Sequence, residues 1–196
     1  MISDGFVVVD KAPGMTSHDV VAVGRRALNT RKVGHAGTLD PMATGLLPIC
    51  LGEATKYSQD LLDADKKYQA RLRFGIQTDT GDAQGQVIAE KSTAEVTDNA
   101  MAKSLIDGIL PQFMGEIEQV PPMYSALKRD GKPLYEYASA GVEIERESRR
   151  ITIYSITVLD VSWPEIALEV HCSKGTYIRV LAEDIGHALG CGAHLI

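Results

Sequence analysis

Strict alternation of apolar and polar residues constrains this chain most, because it marks strands buried on one face only, mixed with helices in no regular crossover rhythm. From Lys67 to Phe74, Tyr68, Ala70, Leu72 and Phe74 fall on one face and Gln69, Arg71 and Arg73 on the other, the period-two signature of a half-buried strand. Further strand-like runs cover Gly5 to Asp10, Leu46 to Leu51, Gln86 to Glu90, Ile151 to Val161 and Ile166 to Val170. Helical spacing follows Ser17, which is placed to cap it, through Val20, Val21, Val23 and Leu28, with Asn29 as the stop. Three more helices are expected over Glu53 to about Leu62, Asp98 to Leu110, and Tyr177 to Leu189 before Gly190. There is neither a βαβ rhythm nor a glycine-rich dinucleotide fingerprint. The expected fold is therefore α+β, with a mixed, largely antiparallel central sheet flanked by helices.

At 196 residues the chain has room for one domain, or one domain carrying a sizeable insertion. The stretch from Ile117 to Arg150 is read as that insertion, since paired prolines, closely spaced tyrosines and dense charge replace the surrounding pattern. A composition of 44% hydrophobic and 23% charged residues excludes disorder, collagen and coiled coil. No apolar run approaches the roughly 18 residues of a membrane span. The start of the chain has no basic segment and only the short apolar run Phe6 to Val9, too little for a secretory signal, so a cytoplasmic protein is expected. Cys50, Cys172 and Cys191 form no CxxC pair and no metal-type spacing with the histidines, and Cys50 lies in an apolar run as an inert buried thiol. Neither a disulfide scaffold nor a metal site is expected.

The formal net charge of −6 runs against the usual footprint of a nucleic-acid binder. Its distribution says otherwise. Residues 20 to 39 hold Arg25, Arg26, Arg31 and Lys32 and no acidic residue. A second cluster, Lys128, Arg129 and Lys132, lies in the insertion beside Tyr124 and Tyr135. Cations interleaved with aromatics suit a phosphate backbone with unstacked bases, although spacing alone favours a solvated helix face and an ordinary exposed turn.

The first basic cluster leads into a stretch rich in glycine and threonine, Lys32 to Gly45, read as a loop held in a defined path. Between Gly34 and Gly45 it contains one carboxylate, Asp40, and one histidine, His35. Asp40 before a proline can be a turn or cap residue; it can also be a nucleophile or base, and a buried carboxylate then needs a cationic or donor partner. The cations of the last 46 residues are Lys174 and Arg179, which makes Arg179 a candidate partner without showing that the two meet. Asp79-Thr-Gly-Asp82 lacks EF-hand spacing, and no P-loop, HExxH or Gly-x-Ser-x-Gly elbow occurs.

Taken together, six runs resemble one family. Gly34-His-Ala-Gly-Thr-Leu-Asp-Pro-Met-Ala-Thr-Gly-Leu-Leu47 is similar to the catalytic motif of the TruB family of tRNA pseudouridine synthases. Asp10-Lys-Ala-Pro-Gly-Met-Thr-Ser17, Gly52-Glu-Ala-Thr-Lys56, Thr78-Asp-Thr-Gly-Asp82, Pro121-Pro-Met-Tyr-Ser-Ala-Leu-Lys128 and His171-Cys-Ser-Lys-Gly-Thr-Tyr-Ile-Arg179 follow in family order across essentially the whole chain.

The resemblance implies isomerisation of a uridine in the T-arm loop of tRNA to pseudouridine, by base flipping and without metal or organic cofactor. It places Asp40 on the catalytic aspartate, with attack at C1′, attack at C6 and initial sugar deprotonation all open. Tyr68 matches the tyrosine that stacks on the flipped uracil, and Arg179 the basic residue that pairs with the aspartate. His35 and Tyr177 match substrate contacts. Asp82 and Lys11 are implied supports behind the site, and Lys56, Tyr124, Lys128 and Lys174 are expected RNA contacts. Residues about 117–150 correspond to a thumb that grips RNA.

Two departures stand out. The first motif reads Lys11-Ala12-Pro13-Gly14, its proline displaced by one residue from the family's Lys-Pro-x-Gly. Family members also continue past the equivalent of Ile196, so residues 1–196 are expected to be a catalytic domain whose C-terminal RNA-binding region is absent from this chain. The expected enzyme is a monomer acting on tRNA with no obligatory protein partner and no membrane association. The competing readings are an RNA-guided pseudouridine synthase and a tRNA-binding and folding protein with little or no catalysis.

Overall fold

The apolar run ahead of Gly52 becomes the middle strand of a small sheet, its backbone paired on both sides and its alternate residues Leu47, Ile49 and Leu51 buried with Val20 and Val21. A computed structural model describes residues 4–196; Met1 to Ser3, part of the stretch on which the reading of the leader rests, lie outside the described residues. The chain divides into two units, one up to Ala64 and one from Asp65 onward.

The first unit holds β1 (Gly5–Lys11), α1 (Ser17–Ala27), β2 (Val33–His35) and β3 (Gly45–Leu51), with sheet order β1-β3-β2 and antiparallel pairing throughout. Its core is Val20, Val21, Val33, Leu47, Ile49 and Leu51. Cys50 is fully buried, as the apolar run implied. Thr16, not Ser17, caps α1: its hydroxyl accepts from the Asp19 amide and the Asp19 carboxylate accepts from the Thr16 amide, a reciprocal capping box. Val33 to His35, expected as loop, is a short strand, since burial of Val33 against β3 draws the backbone into the ladder. The helix expected over Glu53 to Leu62 is instead a 3-10 turn, Gly52–Tyr57, followed by α2 (Ser58–Asp63). Hydroxyls of Thr55 and Ser58 bond back to the carbonyls of Gly52 and Thr55, a local competition that loosens regular α-helix.

The second unit runs β4 (Lys66–Phe74), β5 (Ile76–Thr78), β6 (Val87–Glu90), α3 (Asn99–Ile109), β7 (Gly115–Gln119), β8 (Lys128–Arg129), β9 (Lys132–Pro133), α4 (Leu134–Ser139), β10 (Arg149–Ser162), β11 (Glu165–Cys172), α5 (Ile178–Ala188) and β12 (Ala193–Leu195). A five-stranded sheet has the order β12-β4-β11-β10-β7, each neighbouring pair antiparallel. The alternation in β4 is realised: Leu72 and Phe74 are buried while Arg71 and Arg73 face solvent and pair with Glu165 of β11. Ile106 of α3, and Leu181 and Ile185 of α5, pack with Leu72, Ile153, Ile166 and Leu168 in one apolar core. Asp98 caps α3 through the Met101 amide.

The sheet continues to Gln119 and resumes at Arg149, opposite it in register. Residues 120–148 connect these two strands; of the stretch 117–150 expected as an insertion, 117–119 and 149–150 pair within the sheet. No helix among the described residues is long and apolar enough to cross a membrane.

Candidate functional site

The loop between β2 and β3 carries Asp40, and it is held at the residues on either side of that carboxylate. Ser17, at the start of α1 and buried, accepts a hydrogen bond from the Leu39 amide at 3.0 Å and donates to the Leu39 carbonyl at 3.4 Å. Lys11, the last residue of β1, is only 1% exposed and donates to the carbonyls of Ala12 at 3.1 Å, Met15 at 2.7 Å and Pro41 at 3.2 Å. The Pro41 carbonyl also accepts from the Gly14 amide at 2.8 Å, which ties the first motif to the loop. The displaced proline of that motif therefore leaves its turn able to reach the loop. Gly14, at φ +82°, occupies a conformation that favours glycine. Burial pushes the Lys11 ammonium below its ordinary pKa, and the charge of Asp40 partly offsets this.

His35 ends β2 half-buried, and its Nδ1 lies in a short contact with the Gly37 carbonyl, which orients the ring across the glycine turn. Lys56 lies apart from this cluster, on the exposed 3-10 turn. It forms an ion pair with Glu53, which Lys32 also contacts. Hydrogen bonds from Lys32 and Lys56 bring the Glu53 carboxyl down to about 2.

In the second unit, Arg179 is the central group. It lies near the start of α5, is 4% exposed, and donates through Nη1 to the Thr80 carbonyl at 2.8 Å and through Nη2 to the Tyr124 carbonyl at 2.6 Å. Its Nε lies 3.9 Å from Asp82 Oδ2. Asp82 is itself built into the β5–β6 turn, with Oδ1 accepting from Thr80 Oγ1 at 2.7 Å and from the Gln84 amide at 3.0 Å. The structure thus brings Arg179, Asp82 and the backbone of Tyr124 together. Tyr124, expected as an RNA contact, offers its carbonyl to the arginine.

Tyr68 lies on β4 opposite Val170, half-buried against the main apolar core. Tyr177 is the residue at which α5 begins. Lys174 is exposed on the turn before it. In the insertion, β8 and β9 form a hairpin turned by Asp130 at φ +52° and Gly131 at φ +81°, the pair of left-handed residues a tight two-residue hairpin needs. This exposes Lys128 and Arg129 and puts Lys132 4.9 Å over the Tyr137 ring.

Two groups escaped sequence reasoning. Gln119 is 3% exposed and bonds both the amide and the carbonyl of Tyr177. A polar residue two positions from Ile117, on the inward side of an edge strand, was the available signal. Glu183 lies one turn beyond Arg179 on α5. Its pKa is raised first by burial and then by Asp184 and Asp82, with Arg179 acting against them. Among the described residues no group of three or more His, Cys, Asp or Glu side chains could hold a metal ion.

Comparison with known proteins agrees with these motifs. Residues 25–178 match the family described as TruB family pseudouridylate synthase, N-terminal domain. A tRNA pseudouridine synthase B of Cupriavidus metallidurans is 57% identical over 194 residues, covering 98% of this chain and 60% of the relative. One from Dechloromonas aromatica is 58% identical over 192 residues, covering 98% of this chain and 62% of its own length. The chain spans about three-fifths of the curated relatives it matches. Among solved structures, a Cbf5-Nop10-Gar1 complex is similar over 98% of this chain and 46% of the matched chain, with a TM-score of 0.69 and 34% identity. An H/ACA RNP bound to a substrate RNA containing 2′-deoxyuridine gives 0.66 and 31%, covering 98% of this chain and 45% of that one. With the family match covering most of its length, the chain belongs to the TruB family of pseudouridylate synthases.

Proposed function

We propose that this chain is the catalytic part of an enzyme that isomerises a uridine in the T-arm loop of tRNA to pseudouridine. The observation that carries the reading is the fixation of the Asp40 loop, where side chains of β1 and α1 hold the backbone immediately before and after one carboxylate. A carboxylate presented on so rigid a segment is preorganised to attack rather than to search. In the reaction the N1–C1′ bond breaks, the uracil turns, and a C5–C1′ bond forms. C5 loses its proton and N1 gains one, so atoms balance without any co-reactant.

Asp40 supplies the carboxylate, Tyr68 an aromatic surface for the extruded uracil, and Arg179 a fixed positive charge. Extrusion costs a few kcal/mol. Stacking on an aromatic ring returns on the order of 1–3 kcal/mol of it. His35 and Tyr177 contact the substrate, with Lys11 and Asp82 supporting from behind. Lys56, Tyr124, Lys128 and Lys174 add RNA contacts. The exposed cations and tyrosines of residues 120–148 suit an RNA backbone. The enzyme acts in the cytoplasm as a monomer.

Release of tritium from tRNA labelled at uridine C5 tests the reading. Release by the chain alone, lost with Asp40→Asn, is the expected result; tRNA binding with no release overturns it in favour of a binding and folding role. Relatives named tRNA pseudouridine synthase B share 57–58% identity with this chain, against 34% and 31% for the matched chains of the Cbf5-Nop10-Gar1 complex and the H/ACA RNP, which favours the stand-alone tRNA enzyme over the RNA-guided one. A strict requirement for guide RNA would reverse that preference.

A further inference from the structure

The α5 helix begins at a residue whose backbone is bonded by a side chain from another element. Gln119 Oε1 accepts from the Tyr177 amide at 3.0 Å, and Gln119 Nε2 donates to the Tyr177 carbonyl at 3.3 Å. One side-chain amide thus engages the residue as a neighbouring strand would, with both an acceptor and a donor. α5 has no acidic residue in its first turn and, among the described residues, no side-chain cap of its own. Gln119 instead takes the amide of the N-cap residue itself, Tyr177, from a neighbouring strand. It is also the last residue of β7, paired with Arg149, so it marks the point where the insertion leaves the sheet.

From there the connections close into a ring. Gln119 binds Tyr177; two residues on, Arg179 donates through Nη2 to the Tyr124 carbonyl; and Tyr124 lies five residues beyond Gln119 along the insertion. Gln119 and Arg179 are both almost fully buried, so loss of either set of bonds leaves a buried side-chain polar group unsatisfied.

We propose that Gln119 is a positioning residue. Its amide registers the start of α5, and with it Tyr177 and Arg179, against the root of the insertion, so that the segment leading to Tyr124 and the arginine move as one body. Resting on the isomerase reading above, this makes RNA held by residues 120–148 an input to the placement of Arg179. Gln119 touches no reacting atom; it acts through Tyr177 and Arg179.

Two substitutions test this in the 196-residue chain. Gln119→Leu keeps the size and loses both bonds. Gln119→Glu keeps the acceptor for the Tyr177 amide and, when protonated, recovers an O–H donor for the Tyr177 carbonyl. The expected result is a fall in single-turnover rate at saturating tRNA on the order of 10²-fold for Gln119→Leu, the scale of a small misplacement. The tRNA Kd should move by only a few fold. Gln119→Glu should be intermediate and regain rate, relative to wild type, as pH is lowered. A loss that follows only the folded fraction, or one carried entirely by Kd, overturns the proposal. Hydrogen exchange separates it from the isomerase reading: Gln119→Leu should raise exchange in both 176–181 and 120–135, whether or not wild type turns over. Exchange raised only within 115–119 overturns the coupling. Absent wild-type turnover with exchange raised in both segments overturns the isomerase reading and leaves the coupling standing.

Discussion

The loop carrying Asp40 and the socket holding Arg179 are both rigid, but they are built from opposite materials. Around Asp40 the holding groups are side chains, Ser17 and Lys11, and what they hold is the backbone of Leu39 and Pro41, 22 and 30 positions away. Around Arg179 the side chain is what is held, and its acceptors include the carbonyls of Tyr124 and Thr80, 55 and 99 positions away. In the first case the sequence must specify particular donors, because only a serine and a lysine of the right reach will serve. In the second any residue supplies a carbonyl, and specificity passes to the fold that brings those carbonyls to one place. The first arrangement fixes where a charge is presented; the second makes a charge part of the packing.

Substitution should separate the two. Asp40→Asn is expected to have the largest effect on turnover, bringing tritium release to background while tRNA affinity stays within a few fold. Retained turnover in that variant would end the proposal that Asp40 is the catalytic carboxylate. Arg179→Met should come next and differ in kind. It strands two half-buried carbonyls, each costing at most roughly 1–3 kcal/mol, so both the melting temperature and the rate should fall. If calorimetry gave Arg179→Met the thermal stability of wild type, the view of the arginine as a packed structural charge would fail.

Lys11→Met tests the first region from its other side. Methionine keeps the apolar stem and removes three bonds to carbonyls, but it also removes a buried ammonium that burial already disfavours. The two consequences oppose each other in stability and not in catalysis. Turnover should therefore drop on the order of 10–100-fold, as expected for a loosened loop. The melting temperature should shift less than in Arg179→Met. A larger thermal loss for Lys11→Met than for Arg179→Met would invert the comparison.

The same contrast explains what could be read from the chain before its structure. Asp40, Lys11 and Arg179 were visible because they are charged residues in runs that resemble a family. The three central strands of the larger sheet, β4, β11 and β10, were visible from their apolar runs, and in β4 burial on one face writes a period of two. Thr80 was not visible as an acceptor, since a backbone carbonyl leaves no mark in a sequence. The three-residue strands β2 and β12 are too short to show a period, and only their ladders with β3 and β4 define them. The cap of α1 was misplaced by one residue because Thr16 and Ser17 are both good cap residues; the Asp19 carboxylate decides in favour of Thr16, and burial of Ser17 against Leu39 takes the other hydroxyl. Gln119 and Glu183 were missed because their partners are distant in sequence or depend on where Arg179 lies.

Glu183 provides the smallest and most selective test of the Arg179 socket. Its Oε1 lies so close to Gly81 that a Cβ there would be 2.8 Å away, and Gly81 sits at φ +73°. Burial is the main cause of its raised pKa, with Asp184 and Asp82 adding to it against the favourable charge of Arg179. A carboxyl whose pKa is higher in the folded state than in the unfolded one favours folding when protonated. That contribution is fully present below the ordinary value of 4.5 and is lost as pH rises through the folded value. Glu183→Gln keeps the shape and removes the ionisation. At pH 7.5 the variant should melt above wild type, by roughly 2–4 °C for each kcal/mol released in a chain of this size. At pH 4 the two should coincide. If Glu183→Gln melted lower at pH 7.5, the attraction of Arg179 for the ionised carboxylate would outweigh burial, and Glu183 would belong with Asp82 as a partner that holds the arginine in place.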